Sequence, residues 1–219
     1  MFYNTIAESF DATRLTPWQG WQQLLPYIKN LPQNPAILDV GCGNGRFGRF
    51  VETELSHAIE YWGLDTNHFL LQRAHENVTT PRLFHADILE PLPLMPQQQF
   101  DLIVVFGVMH HVPAKANRIR LLQQLANRLT EHGLLVVTWW AFYENERFRR
   151  RIVAWDDDML DEIEPHDYLL DWRRGNHALR YCHYVSPEEG DELLQAANLT
   201  SVEIYDADTN NRYVVLRHI

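Results

Sequence analysis

The chain has 219 residues, of which 46% are hydrophobic and 22% charged, an ordinary globular composition that can bury a full core without metal or disulfide staples. Its formal charge is −10, and its two cysteines, Cys42 and Cys182, make no disulfide framework; this argues against a secreted disulfide scaffold and against a protein that coats nucleic acid through net charge. No apolar run approaches the ~20 residues of a membrane span, and Met1 to Asn4 lack the basic start and apolar core of a secretory signal, so the expectation is one cytoplasmic domain over 1–219 with no membrane partner.

In chain order, residues 1–35 form a leading segment with its own helix. Thr16 is the expected N-cap, with Pro17 at the first helical position. Trp18, Trp21, Leu24, Leu25 and Ile28 then recur at helical spacing, and Pro32 and Pro35 close the segment. Such an amphipathic helix either covers a sheet edge or serves, with Tyr3 and Arg14, as a lid over a ligand.

The apolar run Ala36 to Val40 has the length of a buried parallel strand. It breaks into Asp39-Val40-Gly41-Cys42-Gly43-Asn44-Gly45, three glycines at alternate positions. A dinucleotide fingerprint needs glycine three residues after Gly43, where Arg46 stands. A helix is expected from Arg46 to Leu55 and a strand over Tyr61 to Leu64, ending at Asp65. An acid 20 residues past Gly45 either accepts the hydroxyls of a ribose or caps the next helix, Asn67 to Ala74. A strand over Arg82 to His85 leads to Asp87, which either accepts from an adenine amino group or simply makes a turn; Ile88 can pack on the adenine face. Pro91 to Pro96 reads as a loop.

Phe100 to Phe106 is the strongest strand in the chain, and it opens into Gly107-Val108-Met109-His110-His111-Val112-Pro113. A helix over Ala116 to Leu129, a turn at Glu131-His132-Gly133 and a strand from Leu134 to Trp139 follow. Adjacent histidines on an extended stretch point to different sides, one toward a substrate and one structural; no third ligand is spaced for zinc, so no metal is expected. Residues 142–185 read as an irregular insertion on the substrate side. It holds a short helix near Glu144 to Val153, a solvated acidic face over Asp156 to Glu164, and Arg180, Tyr181 and His183. Arg180 suits a bidentate clamp on a carboxylate or phosphate, or a surface ion pair. Arg147, Arg149, Arg150 and Arg151 suit either a nucleic-acid backbone or an exposed face paired with acids. Ser186-Pro187-Glu188-Glu189 starts a helix to Ala197. Strands over Ser201 to Tyr205 and Tyr213 to Arg217 form an antiparallel edge hairpin closed at Asp208 to Asn211.

Asp39-Gly41-Gly43-Gly45, Asp65, Ala86-Asp87 and Phe100-Asp101 leading to His110-His111 together resemble the class I S-adenosylmethionine-dependent methyltransferases over residues 36–140. The resemblance implies an α/β, Rossmann-like seven-stranded sheet of order 3-2-1-4-5-7-6 with strand 7 antiparallel. It also implies a cofactor site at Asp39, Gly41, Gly43, Gly45, Asp65, Thr66, Asp87, Ile88, Phe106 and Arg14. Phe2-Tyr3, Thr13-Arg14, Pro17-Trp18, Val108-Met109-His110-His111, Trp140-Ala141, Asp167-Tyr168-Leu169 and Arg180-Tyr181-Cys182-His183 are similar to the wobble-uridine tRNA methyltransferases, which methylate the carboxyl group of 5-carboxymethyluridine. That narrower resemblance implies tRNA as acceptor, a small activator protein as partner, and His110, His111, Arg180 and Tyr181 on the acceptor side. A methyltransferase of a small carboxylic acid and a non-catalytic cofactor-binding module stand as the other readings.

Overall fold

A computed structural model describes residues 7, 11–12, 16–156, 163–172 and 178–219; Tyr3 and Arg14 lie outside them. The first strand, β1 (Ala36–Val40), is buried along its whole length, as expected for the middle of a sheet covered on both faces. It pairs in parallel with β2 (Glu60–Asp65) on one side and β4 (Phe100–Val105) on the other. Outside β2 lies β3 (Arg82–His85); outside β4 lies β5 (Leu129–Trp140). The hairpin of β9 (Leu199–Ala207) and β10 (Asn211–His218) closes the far edge, with β10 antiparallel to both β5 and β9. The seven-stranded order β3-β2-β1-β4-β5-β10-β9 is the expected topology, with β10 and β9 in the places of strands 7 and 6.

The connecting helices are α2 (Arg46–Glu54), α3 (His68–Asn77), α4 (Lys115–Ala126) and α6 (Pro187–Ala196). Two apolar cores lie against the sheet. One gathers Leu38, Val40, Ile103, Leu121, Leu122, Leu125 and Leu193; the other gathers Trp21, Ile37, Phe47, Val51, Val104 and Val215. Alternate strand residues thus supply the two cores. Among the described residues, no helix is long and apolar enough to cross a membrane.

Several expectations need correction. The N-terminal helix starts later than Thr16: Trp18 is the cap of a 3-10 helix, Gln19–Leu24, which runs into the short α1, Leu25–Lys29. Pro26 lacks the N–H that would bind a carbonyl one turn back, so the segment cannot be one continuous α-helix. Asp208, in the β9–β10 turn, accepts from Gln19 N at 2.7 Å and Gly20 N at 3.3 Å, giving these early amides acceptors that Thr16 does not supply. Asp65 does not cap α3; the cap is Asn67, whose side chain accepts from Leu70 N. The helix α4 ends at Ala126, short of Leu129, because Leu129 pairs with Phe100 at the start of β5. Glu131 to Gly133 therefore lie inside β5, where the register with β4 shifts, rather than in a turn.

The largest correction concerns residues 142–185. The helix expected near Glu144 to Val153 is only α5, Glu146–Arg149, and the described residues of the stretch are not irregular. It builds a second, three-stranded antiparallel sheet from β6 (Ile152–Val153), β7 (Asp167–Trp172) and β8 (Ala178–His183). Of the expected solvated acidic face, 157–162 lie outside the described residues. Glu164 is not simply solvated: both its oxygens lie 2.9 Å from Lys115 N, and Oε2 also accepts from Arg118. Arg118 is only 1% exposed and also binds Glu189. His183 lies between Asp167 at 2.6 Å and Glu189 at 2.7 Å. This buried network fastens the small sheet to α4 and α6.

Candidate active site

A cavity of about 430 Å³ opens where the chain leaves β1 and β4. These neighbouring strands send their following helices to opposite faces, so the loops part and leave a crevice at their carboxyl ends. On the β1 side, Asp39, Gly41, Cys42, Gly43 and Asn44 line it. Gly43 has φ +53°, and a side chain built there would meet nothing within 4 Å, so bare backbone faces open space. Gly45 has another task. It does not line the cavity; a side chain there would strike Ala74 and Val78, so it lets α2 start hard against α3.

Asp39 is buried and accepts from Tyr61 Oη at 2.7 Å. Burial raises its pKa to about 7, opposed by the Tyr61 hydrogen bond and reinforced by the charge of Asp65. Asp65 itself lies behind the turn rather than on the cavity wall. Its Oδ2 accepts from Gly43 N at 2.9 Å and its Oδ1 from Asn67 N at 2.8 Å. Burial raises its pKa, while the backbone donors of Asn67, Gly43 and Thr66 pull it down. Thr66 offers its carbonyl to His85 Nε2 at 2.8 Å, so this nitrogen carries a proton. Asp87 is exposed and its Oδ1 accepts from Leu89 N at 2.9 Å, the turn geometry that formed its structural alternative. Ile88 packs against the core. None of these four lines the cavity. Asp65 meets it only through Gly43.

Phe106 lines the cavity and sits among Trp18, Trp21 and Phe47, its ring 5.0 Å from that of Phe47. Trp18 and Trp21 also line it, and Arg46 lies over both indoles at 5.3 and 5.1 Å. The N-terminal segment is tied to the glycine turn: Asn44 Nδ2 donates to Asp11 Oδ1 at 2.8 Å and Arg46 to Thr16 O at 2.9 Å.

The two histidines do not diverge along an extended stretch. They sit on a 3-10 turn, Met109–His111, with ring centroids 4.1 Å apart. His110 is buried, lines the cavity, and has an Nδ1 with no hydrogen-bond partner among the described residues. His111 turns away: its Nδ1 lies 3.0 Å from the carbonyl of Tyr181, so that nitrogen carries the proton. Burial, with the Arg180 charge, pushes His111 down to about 3; burial, with His111 and Arg180 disfavouring a second positive charge beside them, pushes His110 well below its usual value. Both rings are neutral near pH 7. The fold also brings a third ligand close, since His110, His111 and Cys182 place ligand atoms within 4.8 Å of one another. The Arg180 charge acts on both rings and on the Cys182 thiol, which opposes a cation there. The trio of Glu164, Asp167 and His183 similarly already holds Arg118.

Arg180 reaches the far end of the cavity. Its guanidinium lies 4.4 Å from the Trp140 ring centroid and 5.6 Å from that of Trp172. Tyr181, next in sequence, points the other way and donates to Asp167 Oδ1 at 2.7 Å, as alternation along β8 requires. Trp172, which the resemblance groups with Asp167-Tyr168-Leu169 on the substrate side, lines the cavity; sequence reasoning missed Asn145, Phe148, Asp171 and the Asp208 to Asn211 turn as lining residues. The aromatic content of 139–148 was the available signal for Phe148; the Asp208 to Asn211 turn is legible as a hairpin turn, but nothing local in sequence places it at the cavity.

The bare backbone at Gly43, the Asp39 carboxyl, the aromatic wall and the unsatisfied His110 nitrogen fit an amphipathic cofactor such as S-adenosylmethionine beside a second ligand. A family model described as "Methyltransferase domain" matches residues 12–204. The mouse tRNA (carboxymethyluridine(34)-5-O)-methyltransferase ALKBH8 is 28% identical over 176 residues, covering 77% of this chain and 24% of that protein. The Saccharomyces cerevisiae tRNA (carboxymethyluridine(34)-5-O)-methyltransferase is 28% identical over 147 residues, covering 67% and 49%. The chain thus spans about a quarter to a half of these two relatives. A crystal structure of an S-adenosylmethionine-dependent methyltransferase from Clostridium acetobutylicum shares the fold with a TM-score of 0.70 at 17% identity, covering 100% of this chain and 99% of its own. Family match, sheet order and glycine-turn cavity agree: the chain belongs to the methyltransferase domain family and is an S-adenosylmethionine-dependent methyltransferase.

Proposed function

We propose that this enzyme methylates the carboxyl group of a carboxymethylated uridine in tRNA. The observation that carries the reading is Arg180 at the cavity end away from the glycine turn, flanked by the Trp140 and Trp172 indoles. A guanidinium pairs bidentately with a carboxylate, and indole faces stack on a pyrimidine. The similarity to the mouse and yeast enzymes supports the same acceptor. The reading brings with it a cytoplasmic location and a small activator protein as partner.

When bound, S-adenosylmethionine supplies an electrophilic methyl group on a sulfonium. A carboxylate with a reference pKa near ~4 is already ionised at neutral pH and needs no base. The chain's task is then alignment, which can supply about 7–11 kcal/mol of the barrier. Arg180 orients the acceptor oxygen, the aromatic walls exclude water, and the uncharged His110 offers Nδ1 as a neutral hydrogen-bonding partner. The Trp18 and Trp21 segment acts as a cover over the cofactor end.

A small carboxylic acid is the second reading, favoured by a cavity of about 430 Å³, within the range of small-ligand sites. Incubation with radiolabelled cofactor and separate tRNA and small-metabolite fractions decides between them. Label in the tRNA fraction, released by mild alkali as expected for a methyl ester, is the expected outcome; label confined to the metabolite fraction rejects the tRNA acceptor.

A further inference from the structure

The cavity mouth carries charge that methyl transfer itself does not require. Arg147, Arg149, Arg150 and Arg151 fall within five residues of a chain whose formal charge is −10. Arg147 and Arg151 line the cavity, with Phe148 between them in sequence also on its wall. Arg147, Arg149 and Arg150 are exposed, and Arg151 is half-buried.

Their partners are mostly rings. Arg147 and Arg151 each lie 6.0 Å from the Phe148 ring centroid, and Arg149 lies 6.0 Å from that of Tyr143. Arg149 also donates to the Tyr143 carbonyl at 3.2 Å. Among the described residues, Arg150 alone of the four has a carboxylate, Glu146 at 2.5 Å. Among the described residues the other three have no carboxylate partner. The nearby acid Glu144 is engaged elsewhere, accepting from Tyr184 Oη at 2.8 Å and lying 3.7 Å from Arg212.

The backbone fixes this presentation. Asn145 caps the short α5 through Arg147 N at 3.0 Å and donates to Asn210 Oδ1 at 3.0 Å, which ties the arginine turn to the β9–β10 turn across the mouth. The Asp171 amide binds Arg151 O at 2.9 Å, which ties its other end to β7. The arginines are therefore set on an anchored rim around an aromatic-walled opening.

We propose that this turn is the binding surface for the RNA backbone, with Arg147, Arg149 and Arg151 contacting phosphates that flank the nucleotide whose base enters the cavity. The inference rests on the tRNA reading and deepens it by naming the surface. Interleaved arginine and aromatic side chains at a cavity mouth suit a single-stranded segment with one base turned out: guanidinium groups track the phosphates while rings receive the base. The chain's net charge of −10 disfavours a polyanion overall, so attraction depends on a local cationic surface such as this rim.

The test measures tRNA binding against salt for the parent chain, for a triple Arg147→Gln, Arg149→Gln, Arg151→Gln variant and for the matching triple lysine variant, in the presence of the demethylated cofactor. Each phosphate contact contributes about 0.7 to 0.9 to the slope of log affinity against log salt. The glutamine variant is expected to lose about 2 from that slope and at least about tenfold in affinity at low salt. The lysine variant is expected to keep the slope, since point charges still displace counterions. A thermal shift with the demethylated cofactor checks that each variant folds. A glutamine variant that methylates tRNA with parental affinity and slope overturns the arginine surface and leaves the tRNA reading standing. A parent chain that labels no tRNA, yet methylates a small carboxylic acid, overturns both.

Discussion

Asp39 is the residue whose ionisation the fold changes in the most testable way. Its pKa moves from 3.8 to about 7, chiefly through burial. Across that interval the folded chain keeps a proton the unfolded chain has lost, so this group's contribution to stability falls as pH rises from about 4 to 7 and levels off above. His111 acts in the opposite sense. Its folded value near 3 lies below 6.5, so the stability it confers is present above pH 6.5 and is lost as pH falls toward 3. Asp39→Asn keeps an acceptor for Tyr61 and removes the titration. Its melting temperature, followed from pH 5 to 7, is expected to gain relative to the parent as pH rises; parallel curves would show that Asp39 titrates normally. Asp65 tests the cofactor turn. Because it holds the N–H of Gly43, whose bare backbone lines the cavity, Asp65→Ala is expected to weaken S-adenosylmethionine more than tenfold, about 1.4 kcal/mol. Calorimetric titration reads this, and unchanged affinity would reduce Asp65 to a turn residue.

Among the elements, the small β6-β7-β8 sheet depends on contacts the sequence scatters widely. Arg118 from α4 meets Glu164 ahead of β7 and Glu189 from α6, at 2.8 and 2.9 Å. Glu189 also meets His183 of β8. Burial opposes charge on His183, but the hydrogen bonds it donates to Asp167 and Glu189 hold its pKa above the ordinary value. Arg118→Met is expected to cost about 3 kcal/mol, because it removes the buried cation that the partly buried Glu164 and Glu189 share. Denaturant unfolding measures the loss, and hydrogen exchange is expected to speed first in β7 and β8. Uniform exchange change across both sheets would mean the network does not fasten this unit in particular. Sequence periodicity identified β1, β3, β4 and α6 closely, because each is short, apolar on the required face and bounded by its own turn or cap residues. It missed β6 to β8 because these strands mix charge and aromatic side chains and pair mainly through tertiary contacts.

Over the whole molecule, the cavity joins loops after β1, β4 and β5 with the N-terminal segment and the β9–β10 turn. A ligand binding there stabilises the folded state by mass action. At one hundred times its dissociation constant, S-adenosylmethionine is expected to add about 2.7 kcal/mol. A thermal scan with and without it checks this, and no shift at millimolar ligand would remove the cofactor assignment from this chain. The sequence by itself determined the topology and the methyl donor, since the D-x-G-x-G-x-G turn and the alternation of apolar strands with helices are local patterns. Only the tertiary structure decided which residues share the cavity. It turned His110 inward and tied His111 to Tyr181, set Arg180 between two tryptophans while Tyr181 faced Asp167, and closed the mouth with Asp208 to Asn211. The physical reason is that a side chain's direction follows from strand pleat and loop packing, and partners far apart in sequence fix both.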